Sequence, residues 1–140
     1  MDQLTLHIGH QKTGTTSLQF TLRDSSAVLA RHGLHYEASH ATHHPMARAF
    51  HDGLGTPADR RLINRHIQAL KASPLPQGLV STETFVRLRP DEVSACVKRM
   101  KQIAGRLKVL VYVRHPLSFA ASAAHQRVRM GNPLSSAIET

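Results

Sequence analysis

Tryptophan is absent from this chain, and cysteine occurs once, at Cys96. A single thiol cannot form an internal disulfide framework and suits a reducing compartment. Aromatic residues make up only 4% of the sequence, too few for the stacking platform that single-stranded nucleic acid needs. No apolar run approaches the ~20 residues that cross a bilayer. No basic segment followed by an apolar stretch opens the chain, so no signal peptide is expected and the cytoplasm is the expected location. Acidic residues are scarce too: 9 against 18 Lys and Arg, for a formal charge of +9. Such a balance points to an anionic partner, whether nucleic acid, anionic lipid, or a nucleotide or sulfated substrate. The basic residues are spread over Arg60-Arg61, Arg87, Arg89, Lys98 to Lys101 and Arg127 to Arg129. Charge therefore marks an anion-handling surface without naming the anion.

What remains is one domain's worth of chain, residues 1–140, long enough to bury a real core. Leu4 to Ile8 reads as a short strand, followed by a loop from Gly9 to Gly14. Thr15 to about Arg31 reads as a helix with Leu18, Leu22 and Leu29 on one face and Gly33 as its stop. Gly33 to Glu37 reads as a second short strand, and a His-rich irregular segment follows. Thr56-Pro57 predicts a helix start, a cap followed by Pro in the first turn, with Ile63, Ile67 and Leu70 among its apolar set. Leu79 to Phe85 reads as a strand, and Pro90-Asp91 opens another helix, whose Val93, Val97, Met100, Ile103 and Leu107 keep a helical period. Lys108 to Val113, KVLVYV, is the near-continuous apolar run expected of a parallel strand covered on both faces. Pro116 opens a helix running to about Met130, and LSSAIET reads as the first turns of one more. Strands alternating with helices predict a three-layer α/β domain with a mostly parallel sheet. Ligands in such sheets sit at the carboxyl ends of the strands. Three chemistry-bearing segments fall there: the loop after the first strand, Ser81 to Glu83, and Arg114 to Pro116.

The first of these, LHIGHQKTGTTSLQFTL from Leu6 to Leu22, has the layout of a phosphate-binding turn. A Gly-rich loop at a helix N-terminus presents backbone N–H groups and the positive end of the helix dipole to an anion. Lys12 adds a positive charge, and Thr13, Thr15, Thr16 and Ser17 add hydroxyl donors. The lysine is misplaced for an ATPase, whose loop reads G-x-x-x-x-G-K-S/T with Lys after the second Gly. Here Lys12 precedes Gly14. The third segment pairs a strand-end Arg114 with Ser122 two turns into the next helix, a pair able to grip a further phosphate. Taken together, the two segments suggest a nucleotide with two separated anionic groups.

These segments resemble the 3′-phosphoadenosine 5′-phosphosulfate (PAPS) dependent sulfotransferases. KTGTTSLQ, Lys12 to Gln19, is similar to that family's 5′-phosphosulfate loop, and Arg114 with Ser122 is similar to its 3′-phosphate signature. The resemblance runs from about Leu4 to Gly131 and is nearest to bacterial sulfotransferase-like proteins, with HHPMA from His43 and STETF from Ser81 standing between the cofactor motifs. It implies a P-loop-like topology and a PAPS donor leaving as adenosine 3′,5′-bisphosphate. Lys12, Thr13, Gly14, Thr15, Thr16 and Ser17 would hold the phosphosulfate, and Arg114 and Ser122 the 3′-phosphate. Lys12 would steady the leaving 5′-phosphate during in-line sulfuryl transfer to a hydroxyl or amine of a carbohydrate, lipid or small molecule. A general base must lie within reach of the acceptor proton. The resemblance offers His44 or Glu83 for it, with His43 beside them. It also implies a C-terminal segment that closes over the nucleotide, and nothing after Met130 reads as one, so the family fold is expected to be incomplete at the C-terminus.

Two other classes compete. A nucleotide kinase or NTPase would need a Walker lysine and an acidic Mg²⁺ strand, and the sequence has neither. A binding module that keeps nucleotide affinity without transfer fits the short C-terminus. The H-x-x-H-H of His40, His43 and His44 lacks the further ligand that zinc sites add, and no metal is expected.

Overall fold

A computed structural model describes residues 1–11, 13–39, 42–51 and 56–131 of the chain, with the side chains of Asp59 and Leu62 outside the description. Among the described residues four strands form one sheet in the order β2-β3-β1-β4, all parallel. They are β1 (Gln3–His7), β2 (Leu34–Tyr36), β3 (Gln77–Ser81) and β4 (Arg106–Leu110). Six α-helices stand among the described residues: α1 (Thr15–Asp24), α2 (Ser26–Arg31), α3 (His44–Arg48), α4 (Pro57–Ala72), α5 (Pro90–Met100) and α6 (Pro116–Arg129). The result is an α/β fold, as the alternation of elements predicted.

The strand order has a consequence for the helices. The chain leaves β1 toward β2 on one side of the sheet and returns from β3 past β1 to β4 in the opposite direction. With right-handed crossovers, connections running in opposite directions lie on opposite faces. The core gathers on the face of α3, α4 and α5: Leu4, Leu6 and Val80 of the sheet pack with Met46, Ile63, Ile67, Leu70, Cys96 and Met100. Alternation along β1 puts Leu4 and Leu6 on that face, fully or almost fully buried.

Four local expectations are corrected. The first helix breaks at Ser25 into α1 and α2, and its buried positions are Thr15 and Gln19 rather than the leucines. The third strand stops at Ser81, because Thr82 takes its side-chain oxygen to the N–H of Thr84 and caps a 3₁₀ turn over Glu83–Arg87. On α5 the buried residues are Glu92, Cys96 and Met100, while Val93 is exposed. Glu92 is drawn inward by its bonds, accepting the Arg89 N–H at 2.8 Å and the Arg89 guanidinium at 2.7 Å. The largest departure is the apolar run at 108–113. It forms the sheet's edge strand and the segment beyond it, with Val109, Val111, Tyr112 and Val113 all exposed. The segment after residue 131 lies outside the described residues.

Candidate functional site

β1 is a central strand, and its carboxyl end delivers the chain into the Gly9–Gly14 loop beside the ends of β3 and β4. The loop is stitched to the β4 side by the N–H of Ile8 to Leu110 C=O, 2.9 Å, and of His10 to Tyr112 C=O, 3.3 Å. Thr13 donates its hydroxyl to the His10 carbonyl at 2.6 Å, which closes the loop on itself. Gly14 then turns the chain into α1 at φ 82°, a left-handed conformation that favours glycine. No side chain caps this helix among the described residues. The first-turn N–H groups of α1 thus have no side-chain cap and keep the helix dipole behind them, as an anion site requires. Thr15 is buried, whereas Thr16 and Ser17 are exposed. Lys12 lies outside the described residues.

Arg114 stands past the end of β4, exposed, next to this loop. A cleft of about 360 Å³ is lined by Thr13, Gly14, Tyr112, Val113 and Arg114, so the loop and the strand-end arginine share one opening. A neighbouring cleft of about 250 Å³ adds His10, Pro116 and Phe119. Ser122 is half-buried on α6 and lines neither cleft. The structure thus brings the loop and Arg114 together and leaves Ser122 apart from that opening.

Behind the loop lies a buried polar network that local sequence patterns did not reveal. Ser81, fully buried at the end of β3, is its hub. Its Oγ is 2.7 Å from His7 Nδ1, its N–H donates to His43 Nδ1 at 3.1 Å, and its carbonyl accepts from His43 N–H and Gln19 Nε2. Gln19, one helical turn after Thr15 on the same buried face, also donates to Glu83 Oε2 at 3.1 Å. Glu83 is thereby tied to the helix that begins at the anion loop.

The other base candidates differ sharply from one another. His43 is buried, and burial first, then the neighbouring His66, pushes its pKa down to about 4. Its ring is neutral and occupied in holding β3. His44 is exposed at the start of α3, with Nδ1 hydrogen-bonded to the Thr84 hydroxyl. His40 of the H-x-x-H-H run lies outside the described residues, and among those described no group of three His, Cys, Asp or Glu side chains is placed to hold a metal ion. Among the described residues no helix is long and apolar enough to cross a membrane.

Compared with protein-family models, with curated proteins and with solved structures, the chain matches none. The functional reading therefore stands on the site itself. Sequence reasoning missed His7 and Gln19. The one signal for Gln19 was a polar side chain four residues after Thr15 in an amphipathic helix, and for His7 a polar residue closing an apolar strand.

Proposed function

We propose that this chain is a PAPS-dependent sulfotransferase of P-loop-like fold. The observation that carries the reading is the shared cleft of Thr13, Gly14 and Arg114, which sets an uncapped helix N-terminus beside a guanidinium. Two anion grips on one opening suit a nucleotide carrying separate phosphate groups. The strand order β2-β3-β1-β4, with the loop leaving a central strand, supports the P-loop-like topology.

In this reading the first-turn amides and hydroxyls of α1 hold the 5′-phosphosulfate, with Lys12 supplying its charge, and Arg114 holds the 3′-phosphate. Ser122, half-buried on α6 and outside the clefts, would join Arg114 only if α6 shifts toward the opening. An acceptor oxygen or nitrogen attacks sulfur in line; the new bond to sulfur forms as the sulfur–oxygen bond to the 5′-phosphate breaks. The acceptor proton passes to Glu83 or His44, and adenosine 3′,5′-bisphosphate leaves. Glu83 has the better-held position through Gln19, and His44 the greater exposure. Negative charge grows on the leaving phosphate, where preorganised donors act most strongly.

A second reading has its own observation. Apolar side chains of β4, of the segment after it and of α6, among them Val109, Val113, Leu117 and Met130, stay exposed, which suits a module that binds the nucleotide and does not itself complete an acceptor pocket. Calorimetric titration with adenosine 3′,5′-bisphosphate, and separately with ATP and Mg²⁺, tests the cofactor. Metal-independent binding of the bisphosphate, weakened in Arg114→Ala, is the expected result. Preference for ATP with Mg²⁺ overturns the sulfotransferase reading, and failure to pass sulfate to any acceptor in a screen selects the binding module.

A further inference from the structure

We infer that His7 is a binding residue of the anion loop, a neutral imidazole whose Nε2–H reaches the bound anion from beneath the loop. This deepens the donor-binding reading above and rests on it.

His7 closes β1 and is 1% exposed. The tautomer follows from hydrogen-bond accounting. Ser81 is fully buried, and among the described residues its hydroxyl has a single partner, His7 Nδ1 at 2.7 Å. A buried hydroxyl proton left without an acceptor is costly, so the serine donates and Nδ1 accepts. The ring proton then sits on Nε2. The opposite tautomer would strand both the serine proton and the Nε2 lone pair. Nε2 itself has no hydrogen-bond partner among the described residues and is closed to solvent. It is a donor built into the interior with nothing to receive it.

Its position says what it awaits. A Cβ on residue 9 would stand 2.7 Å from His7 Nε2 and 2.8 Å from Thr15 Cγ2. Gly9 thus lets three parts meet that any other residue would hold apart: the imidazole edge, the loop backbone and the first residue of α1. Thr15 opens α1, so Nε2 lies against the first turn of the helix that follows the loop. Burial also lowers the pKa of His7, against the pull of the nearby Glu83 carboxylate, so the ring meets an anion as a neutral donor. The rings of His7 and Tyr112 meet edge-to-face at a centroid distance of 5.0 Å, and Tyr112 lines the same cleft as Thr13 and Arg114.

The test uses the full chain with ¹⁵N-labelled histidine, followed by long-range ¹H–¹⁵N spectra during titration with adenosine 3′,5′-bisphosphate and with inorganic sulfate. His7 should carry its proton on Nε2, and that resonance should move in step with saturation. Calorimetry should find bisphosphate binding weakened about tenfold or more in His7→Leu, as loss of one hydrogen bond to a charged group predicts. His7→Gln, which keeps an N–H at similar reach, should retain most of the affinity. A proton on Nδ1, or a His7 resonance unmoved at saturation, overturns the inference while leaving the cofactor reading intact. Absence of binding by both probes overturns the two together. The spectra are recorded on the unaltered chain, so they decide the matter even where a variant fails to fold.

Discussion

The two sides of the sheet's central strand are built to different standards. On the β3 side, Leu4, Leu6 and Val80 meet three helices, and even polar groups are enclosed: Ser81, Thr82, His43 and Glu92 are all buried. On the β4 side, no residue of α6 is buried, and Val113, Leu117 and Met130 are 84%, 75% and 72% exposed. Yet the candidate site straddles both. His43, Glu83 and the polar network belong to the enclosed side, with His44 exposed at its margin; Arg114, Ser122 and the clefts belong to the open one. Stability and ligand contact are therefore divided between regions, and substitutions should separate them.

The largest effect belongs to the enclosed side. Leu4→Ala deletes a fully buried side chain at the middle of the core and should cost about 3 kcal/mol, read as a lower urea midpoint. Leu117→Ala on α6 should stay within about 0.5 kcal/mol of the parent. Similar losses at the two positions would break the comparison, because α6 would then be packed in solution.

Acid should also strike the enclosed side. His43 titrates at about 4 in the fold, below its ordinary 6.5, chiefly through burial. Between these values the unfolded chain binds the extra proton and the folded chain does not. The stabilisation is complete above pH 6.5 and is lost as pH falls toward 4, by at most about 3 kcal/mol. Urea midpoints at pH 7.5 and 4.5 measure it, and in His43→Gln the part due to this ring should vanish. An equal acid loss in that variant would mean that His43 is not the group responsible.

Arg114→Ala sharpens the division from the other direction. It removes a charged hydrogen-bond donor from the open side and should weaken adenosine 3′,5′-bisphosphate binding about 10- to 100-fold. The urea midpoint should hardly move, since the residue is exposed. A fall in stability matching the fall in affinity would show a structural role instead.

The same division explains what could be read from sequence. The loop and its helix were legible because their signals are local: an apolar strand, glycine where φ turns positive at Gly14, and hydroxyls at a helix start. The strand preceding Glu83 was overextended because LVSTETF is rich in apolar and β-branched residues, and only the Thr82 side chain bonding the Thr84 N–H ends it. KVLVYV was misjudged in surroundings, not in kind. Apolar periodicity reports what a segment would bury; coverage depends on neighbours the segment does not encode, and β4 stands at the edge. Gln19, His7 and His43 were unreadable in their roles for a related reason. Each is a polar residue made acceptable inside by a partner 38 to 74 positions away in sequence.

The smallest expected effect falls on the open side itself. The double substitution Leu117→Ser and Met130→Gln replaces two of its most exposed apolar side chains. Neither loses much burial, so the urea midpoint should shift by no more than about 0.5 kcal/mol in equivalent stability. Exposed apolar patches are association-prone, so the variant should stay monodisperse to higher concentration than the parent in sedimentation velocity. Bisphosphate affinity should not change, since neither residue lines the clefts with Arg114. Loss of affinity would mean that α6 shapes the nucleotide site despite its exposure. The boundary between the enclosed and open regions would then run along the sheet edge rather than through the site.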